Sequence, residues 1–459
     1  MRRAFWILVG AHVLMLAATL PLLLGTGLHG GILIGDETSY VDAGRALSNA
    51  VRDAARLGPF DTTELRLSVV SSGWFMPGMG VLLAPLFTVD PDASVAAVRL
   101  YLGVVTTLML VAAALRVRTL LGDPYALALL VFPGLVPMWV VFSTGAWGDL
   151  AAGIVLAVLA AEGAVMLRGI TEGRAPTLRD GVRLGLLAVA MLYLRSSTSI
   201  LAGGLFVLLG LAALVLLRGA QRRRGIAALV AGGVCFLAVL APWSIAASRT
   251  LGDRVITTTS VSNVLGNTFG DRDELCFGPC DPGSTIWFNP LRYSREVGRA
   301  TGLSELEVQH QMSAYARRDV TTGSYLRDVA RNLGHYLEGP AGFTRFMHDP
   351  ATDLGWLRWL IVALTDLMFY PMVAVGLLVL VVARRRPLPE QALPIVLKVA
   401  LAALLLQPFV HQAGSRYWPT AAPIVSLGLV MLVLQAKTST WTWSRCASTS
   451  ASPGPDGAS

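Results

Sequence analysis

Asp36 and Glu37 are adjacent carboxylates placed where a long apolar run ends, in Ile34-Gly35-Asp36-Glu37-Thr38-Ser39-Tyr40. Charge at a bilayer edge costs free energy unless water, a partner or a ligand compensates it. The residues alone leave two readings open. Either the pair is solvated and opens a loop helix, with Asp36 as its N-cap, or it stands there to meet a ligand. Asp149 is a further carboxylate, at the start of a later apolar run. The three are hard oxygen donors suited to Mg²⁺ or Mn²⁺, so a divalent cation is possible and not required. Cys276 and Cys280 form a second reactive pair, in Cys276-Phe277-Gly278-Pro279-Cys280. Cys235 lies in an apolar run, where a thiol is ordinarily packing.

The elements that position these groups follow from composition. The chain has 459 residues, 54% hydrophobic and 14% charged, with mean hydropathy +0.60. Soluble domains carry about 25% charged residues. The expected fold class is an all-α polytopic membrane protein with about ten transmembrane helices, each needing about 20 apolar residues. They are expected near 4–24, 95–115, 124–142, 148–167, 183–196, 198–217, 225–246, 359–382, 392–410 and 417–435, with the first span retained. The short segment 76–88, interrupted by Pro77 and Pro85, reads as a helix lying at the interface. The formal charge of +8 does not indicate nucleic acid. Basic residues cluster at span ends: Arg2 and Arg3, Arg116 and Arg118, Arg168 to Arg183, Arg218 to Arg224, and Arg384 to Arg386. Ten spans put every cluster on one side, which predicts cytoplasmic N- and C-termini.

Residues 1–435 then form the transmembrane domain and 436–459, rich in Ser, Thr, Pro and Gly, a disordered cytoplasmic tail. Two large extracytoplasmic loops cover 25–94 and 247–358. In the second, Ser304-Glu305-Leu306-Glu307 has capping-box spacing and predicts a helix to about Asp319. Another is expected from Ser324 to Glu338, ended by Gly339 and Pro340. Cys276 and Cys280 fall on the oxidising side, where a short disulfide is expected, two free thiols being the alternative. The chain has no P-loop and no Gly-rich strand-turn-helix fingerprint, which weighs against ATP or a sugar nucleotide as direct donor.

An ordered set of motifs remains. Asp36-Glu37-x-x-Tyr40 follows the first span, and Met76-Pro77-Gly78 leads towards the second. Asp149 opens the fourth span after Ser143-Thr144-Gly145. Leu194-Arg195-Ser196-Ser197 fills the next outside loop, and Ala241-Pro242-Trp243-Ser244-Ile245 ends the seventh span. His411 and Arg416-Tyr417-x-Pro419 open the last. This order resembles the GT-C glycosyltransferases, in particular the protein O-mannosyltransferases and the lipid A aminoarabinose transferases. The resemblance covers most of 1–435; Cys276 and Cys280 are not general features of that superfamily.

The resemblance implies a transferase that takes a sugar from a polyprenyl-phosphate carrier at the outer membrane face and passes it, with inversion, to an acceptor hydroxyl. An acceptor hydroxyl needs a carboxylate to take its proton, and a departing lipid phosphate needs cationic donors. By its match to the family motif, Asp36 is the expected base, with Glu37 positioning Asp36, the acceptor or a metal. Asp149 is the second matched carboxylate, equally suited to cap the fourth span. Arg416 is the expected phosphate ligand, with Arg195, His411 and Tyr417 as further donors, although Arg416 could instead snorkel at a span end. Tyr40, Trp74 and Trp243 are expected near the sugar or as interface anchors. The partners are the lipid-linked donor, an acceptor the sequence does not name, and the bilayer. A transporter, a lipid flippase or an inactive scaffold on the same fold are the alternatives.

Overall fold

The computed structural model describes residues 2–25, 33, 35–59, 61–259, 289–316, 318, 320–338, 355–382, 386–410 and 418–448. Among the described residues the regular structure is entirely helical. The first helices are α1 (Arg2–Gly25), α2 (Asp36–Ala55) and α3 (Thr62–Glu64), the last running into a π-helical turn over Leu65–Val70. They are followed by α4 (Gly78–Val89), α5 (Val95–Leu121), α6 (Asp123–Val131), α7 (Pro137–Thr144), α8 (Asp149–Thr171) and α9 (Leu178–Leu194). A 3₁₀ turn over Ser196–Thr198 leads to α10 (Ser199–Leu216) and α11 (Gly219–Leu251). The second large loop contributes α12 (Asn289–Thr301), α13 (Glu305–Ala316) and α14 (Thr322–Leu337). The chain closes with α15 (Gly355–Val381), α16 (Leu388–Leu405), α17 (Gln407–Val410) and α18 (Trp418–Ser448).

Among the described residues, six helical stretches are long and apolar enough to cross a membrane: Val95–Leu121, Asp149–Thr171, Ser196–Leu216, Gly219–Leu251, Leu388–Phe409 and Trp418–Ala436. Helix α8 is central and buried along almost its whole length, as a helix that is apolar all round should be. Its small residues let neighbours approach at backbone distance. A Cβ on Gly153 would lie 2.7 Å from the Thr420 carbonyl oxygen. Helices α9 and α11 run parallel along a glycine seam. A Cβ on Gly181 would meet the Ala228 oxygen at 1.8 Å, and one on Gly185 the Gly232 oxygen at 2.2 Å.

Three expectations need correction. The segment 124–142 is not one helix. It divides into α6 and α7 around Pro133 and Gly134, because proline breaks the hydrogen-bond ladder of a helix interior and Pro137 opens the next helix instead. The turn is buried, and a carbonyl freed there needs a donor. His12 of α1 supplies it: Nδ1 lies 2.5 Å from the Gly134 carbonyl oxygen, and Nε2 lies 3.0 Å from Thr107 Oγ1. With the proton on Nδ1, the ring donates to the carbonyl and accepts from the hydroxyl. Second, the last helix passes residue 435 and runs to Ser448; between these points the sequence has no Gly or Pro to stop it. Third, α12 precedes the two helices expected in the second large loop. Of those two, α13 starts where Ser304 Oγ accepts the Glu307 N–H at 3.1 Å. Helix α14 starts two residues early, behind a Thr321/Ser324 capping box.

Contacts fix helix direction. Leu16 packs at Gly103 and His12 at Thr107, so α1 runs antiparallel to α5. Arg99 reaches Thr144 and Arg116 reaches Glu162, so α5 runs parallel to α8. Arg183 meets Glu162 while Arg195 meets Asp149, so α9 returns antiparallel. Asp149, Arg195, Leu251 and Trp418 therefore share one end of the bundle. The described arginines Arg116, Arg168, Arg183 and Arg386 gather towards the other.

Candidate functional site

The first turn of α2 opens the site. Its N-cap is Gly35, at φ 55°, and not Asp36. Asp36 and Glu37 lie in the first turn, where carboxylates meet the partial positive charge of the helix N-terminus. Successive helical residues point about 100° apart, so the two cannot share one environment. The buried stripe of α2 runs through Glu37, Tyr40, Val41, Gly44 and Ser48. Glu37 falls on this stripe and Asp36 falls off it, half-buried at the rim.

Glu37 is wholly buried, at 0% exposure, and Arg99 of α5 is 4% exposed. Arg99 Nη1 donates to Glu37 Oε1 at 2.6 Å, and Nη2 donates to Oε2 at 2.9 Å. The Ala146 N–H donates to Oε1 at 2.9 Å, and Arg99 also reaches the Thr144 carbonyl at 3.4 Å. One carboxylate thus ties α2, α5 and the turn between α7 and α8. Thr106 fastens the same turn by donating to the Ser143 carbonyl at 3.0 Å. Arg99 is the site residue the sequence reading missed. The available signal was a guanidinium early in an apolar span, which requires a partner.

Asp149 begins α8, and its N-cap is Gly148, not Asp149 itself. Gly148 has φ 74°, and a Cβ there would lie 2.4 Å from the Leu194 carbonyl oxygen. Only glycine satisfies both the left-handed backbone and that approach. The approach brings Asp149, also at 0% exposure, beside Arg195 just past α9, with Nε 3.2 Å from Oδ1. Thr420 Oγ1 donates to the Asp149 carbonyl at 3.1 Å, joining the start of α18 to the same point. Asp149 and Arg195 were expected in the site, and the fold brings them together.

The aromatic candidates divide. Tyr40 is buried on α2 with its ring 5.0 Å from Phe75, on which Trp74 also stacks at 5.0 Å. Trp243 is 4% exposed inside a smaller core formed by Val70, Met76, Leu192, Leu251 and Leu306. Its indole N–H donates to the Thr257 carbonyl at 2.6 Å. That packing accounts for Trp243 without a ligand. His411, Arg416, Tyr417, Cys276 and Cys280 lie outside the described residues. Trp418 is buried, its indole donating to the Tyr336 carbonyl at 2.9 Å, so α14 covers the start of α18.

Among the described residues no three His, Cys, Asp or Glu side chains cluster as a metal site. Glu37 and Asp149, proposed as hard ligands, each face a guanidinium, a poor neighbour for a divalent cation. Chemically, the arrangement offers a half-buried carboxylate at the rim, a fixed carboxylate behind it, and an Asp–Arg pair nearby at the same end of the bundle. No family model, curated protein or solved structure matches the chain.

Proposed function

We propose that the chain is a polytopic membrane glycosyltransferase of GT-C type. It moves a sugar from a polyprenyl-phosphate carrier to an acceptor hydroxyl at the extracytoplasmic face. In this reading the chain crosses the bilayer about ten times, the α6–α7 pair counting as one broken crossing. The Asp149 end faces outward, and both termini are cytoplasmic.

The observation that carries the reading is the separation of two neighbouring carboxylates. Glu37 is wholly buried and held on both oxygens by Arg99, while Asp36 is only half-buried. A base for an acceptor hydroxyl must be reachable by substrate, and a buried, doubly held carboxylate is not. As the acceptor oxygen attacks the anomeric carbon, its proton passes to the Asp36 carboxylate. The bond from that carbon to the phosphate oxygen breaks, and the phosphate leaves as an anion. Arg195, oriented by Asp149, and Arg416 are the cations that meet it. Glu37 is a positioning residue that fixes the helix carrying Asp36.

The test is complementation of a deletion strain, with envelope saccharides compared by mass spectrometry. Deletion should remove one sugar, and Asp36→Asn should leave protein level and folding intact while lowering transfer by about 10²–10⁴-fold, the usual contribution of a general base. Transfer at the wild-type rate would remove Asp36 from the base role. A deletion that alters no saccharide would overturn the transferase reading. A defect rescued fully by both the Asp36→Asn and Asp149→Asn variants would favour a flippase.

A further inference from the structure

A cleft opens at the Asp149 end, between the π-helical turn of the first loop, the end of α11 and α12. It has a volume of about 330 Å³, and three arginines line it: Arg66, Arg295 and Arg299. Arg295 is balanced by Glu305, with Nε 3.4 Å from Oε2, and its Nη2 donates to Ser72 Oγ at 3.1 Å. Among the described residues, Arg66 and Arg299 have no carboxylate within ion-pair distance. Among the described residues, two of the three lining arginines therefore have no ion-paired carboxylate. Ser71, Thr250, Gly298 and Gly302 also line it.

Two local features mark the wall as built for more than packing. The Leu65–Val70 turn is π-helical, a geometry found mostly at functional positions. It ends at Ser71, a non-glycine residue at φ 50°. Such a backbone persists only when its surroundings hold it, and it recurs at ligand clamps. Guanidinium groups converging on one cleft repel one another unless an anion sits between them. Their planar forks match phosphate oxygens. The volume lies at the lower end of small-molecule sites, about 300 Å³ and above, which is room for a phosphate group and part of what carries it.

We infer that this cleft is a binding site for a phosphate-class anion, held by Arg66 and Arg299 with Arg295 as the paired third. The site is separate from the Asp36 and Asp149 carboxylates, and its occupancy does not depend on sugar transfer. The phosphate is carried either by a water-soluble saccharide or by a lipid headgroup.

The test uses the full chain in nanodiscs of zwitterionic lipid, titrated with inorganic pyrophosphate by calorimetry. Saturable binding is expected, and Arg66→Gln and Arg299→Gln should each weaken it about 10- to 100-fold, the range of a lost charged hydrogen bond. Arg292→Gln, on the same helix but exposed and 3.9 Å from Glu296, should leave affinity unchanged. Both cleft arginines are exposed, so a matching melting temperature will show that each variant is folded. The Lys replacements should recover part of the affinity. Absence of saturable binding, or equal binding by wild type and the Arg66→Gln/Arg299→Gln double variant, would overturn the site. Repeating the titration in nanodiscs containing phosphatidylglycerol separates the sources. Competition identifies a headgroup, and an unchanged affinity identifies a soluble phosphate. Because the readout is binding, failure here leaves the transferase reading to its own test.

Discussion

The pair Glu37–Arg99 makes the most demanding prediction. Glu37→Gln keeps the shape and retains an oxygen for the Ala146 N–H, but its amide presents a donor to one Arg99 nitrogen. The guanidinium, 4% exposed, then loses the counter-charge of Glu37. Removing one partner of a buried pair costs about 3–5 kcal/mol, whereas replacing both by apolar residues is often neutral. Unfolding entropy of about 2 cal/mol/K per residue, over 459 residues, gives a fall of about 1 °C per kcal/mol. Glu37→Gln and Arg99→Leu should therefore each melt about 3–5 °C below wild type in detergent. The double variant Glu37→Leu/Arg99→Leu should recover most of that loss. A double variant that melts as low as the sum of the singles would show that the two charges do not answer one another. A Glu37→Gln variant that melts with wild type would show that Arg99 finds water or another anion.

Two further outcomes follow from the same geometry. Gly148→Ala should destabilise by about 1–3 kcal/mol, the range for a forced backbone, because it combines φ 74° with a Cβ 2.4 Å from the Leu194 oxygen. It should also raise the reactivity of a cysteine placed at Arg195 towards a thiol reagent, and an unchanged melt and reactivity would refute the packing. At the opposite end, Glu162 lies 2.5 Å from Arg116 and 3.3 Å from Arg183. Those arginines are about one-third exposed and can turn to water. Glu162→Leu should thus cost less than Arg99→Leu in the same melt, and a larger loss would reverse that ranking.

Much of the helical framework is legible in the sequence, since apolar runs and caps are local signals. Ser304 and Glu307 place α13, and Asp149 opens α8 to within a residue. The break at Pro133 and Gly134 was also written there, and a count of apolar length alone passes over it. What local reading lacks is pairing at a distance. Glu37 and Arg99 are 62 positions apart, and nothing in either segment names the other. The distinct fates of Asp36 and Glu37 were half visible. The stripe through Tyr40, Val41, Gly44 and Ser48 includes Glu37, but only the packing of α4 and the Leu65–Val70 turn on α2, with Arg99 reaching across, shows that the stripe is the buried face. Trp243 shows a related limit, because an aromatic at a span end looks the same whether it anchors a loop or greets a ligand.

The glycine seam between α9 and α11 bears on biogenesis. Helix α9 has 17 residues, about 26 Å at 1.5 Å per residue, which falls short of a hydrocarbon layer of about 30 Å. It also carries Arg179, Asp180 and Arg183 in its first two turns. In the ten-span reading, such a segment would leave a translocon poorly on its own merit. Its partner is synthesised only after α10 has passed, and the seam needs backbone contact that no lipid can imitate. Helix α9 gains this neighbour only once α11 has been made. A chain ending before Gly232 would hold α9 against α8, through Glu162–Arg183 and Asp149–Arg195.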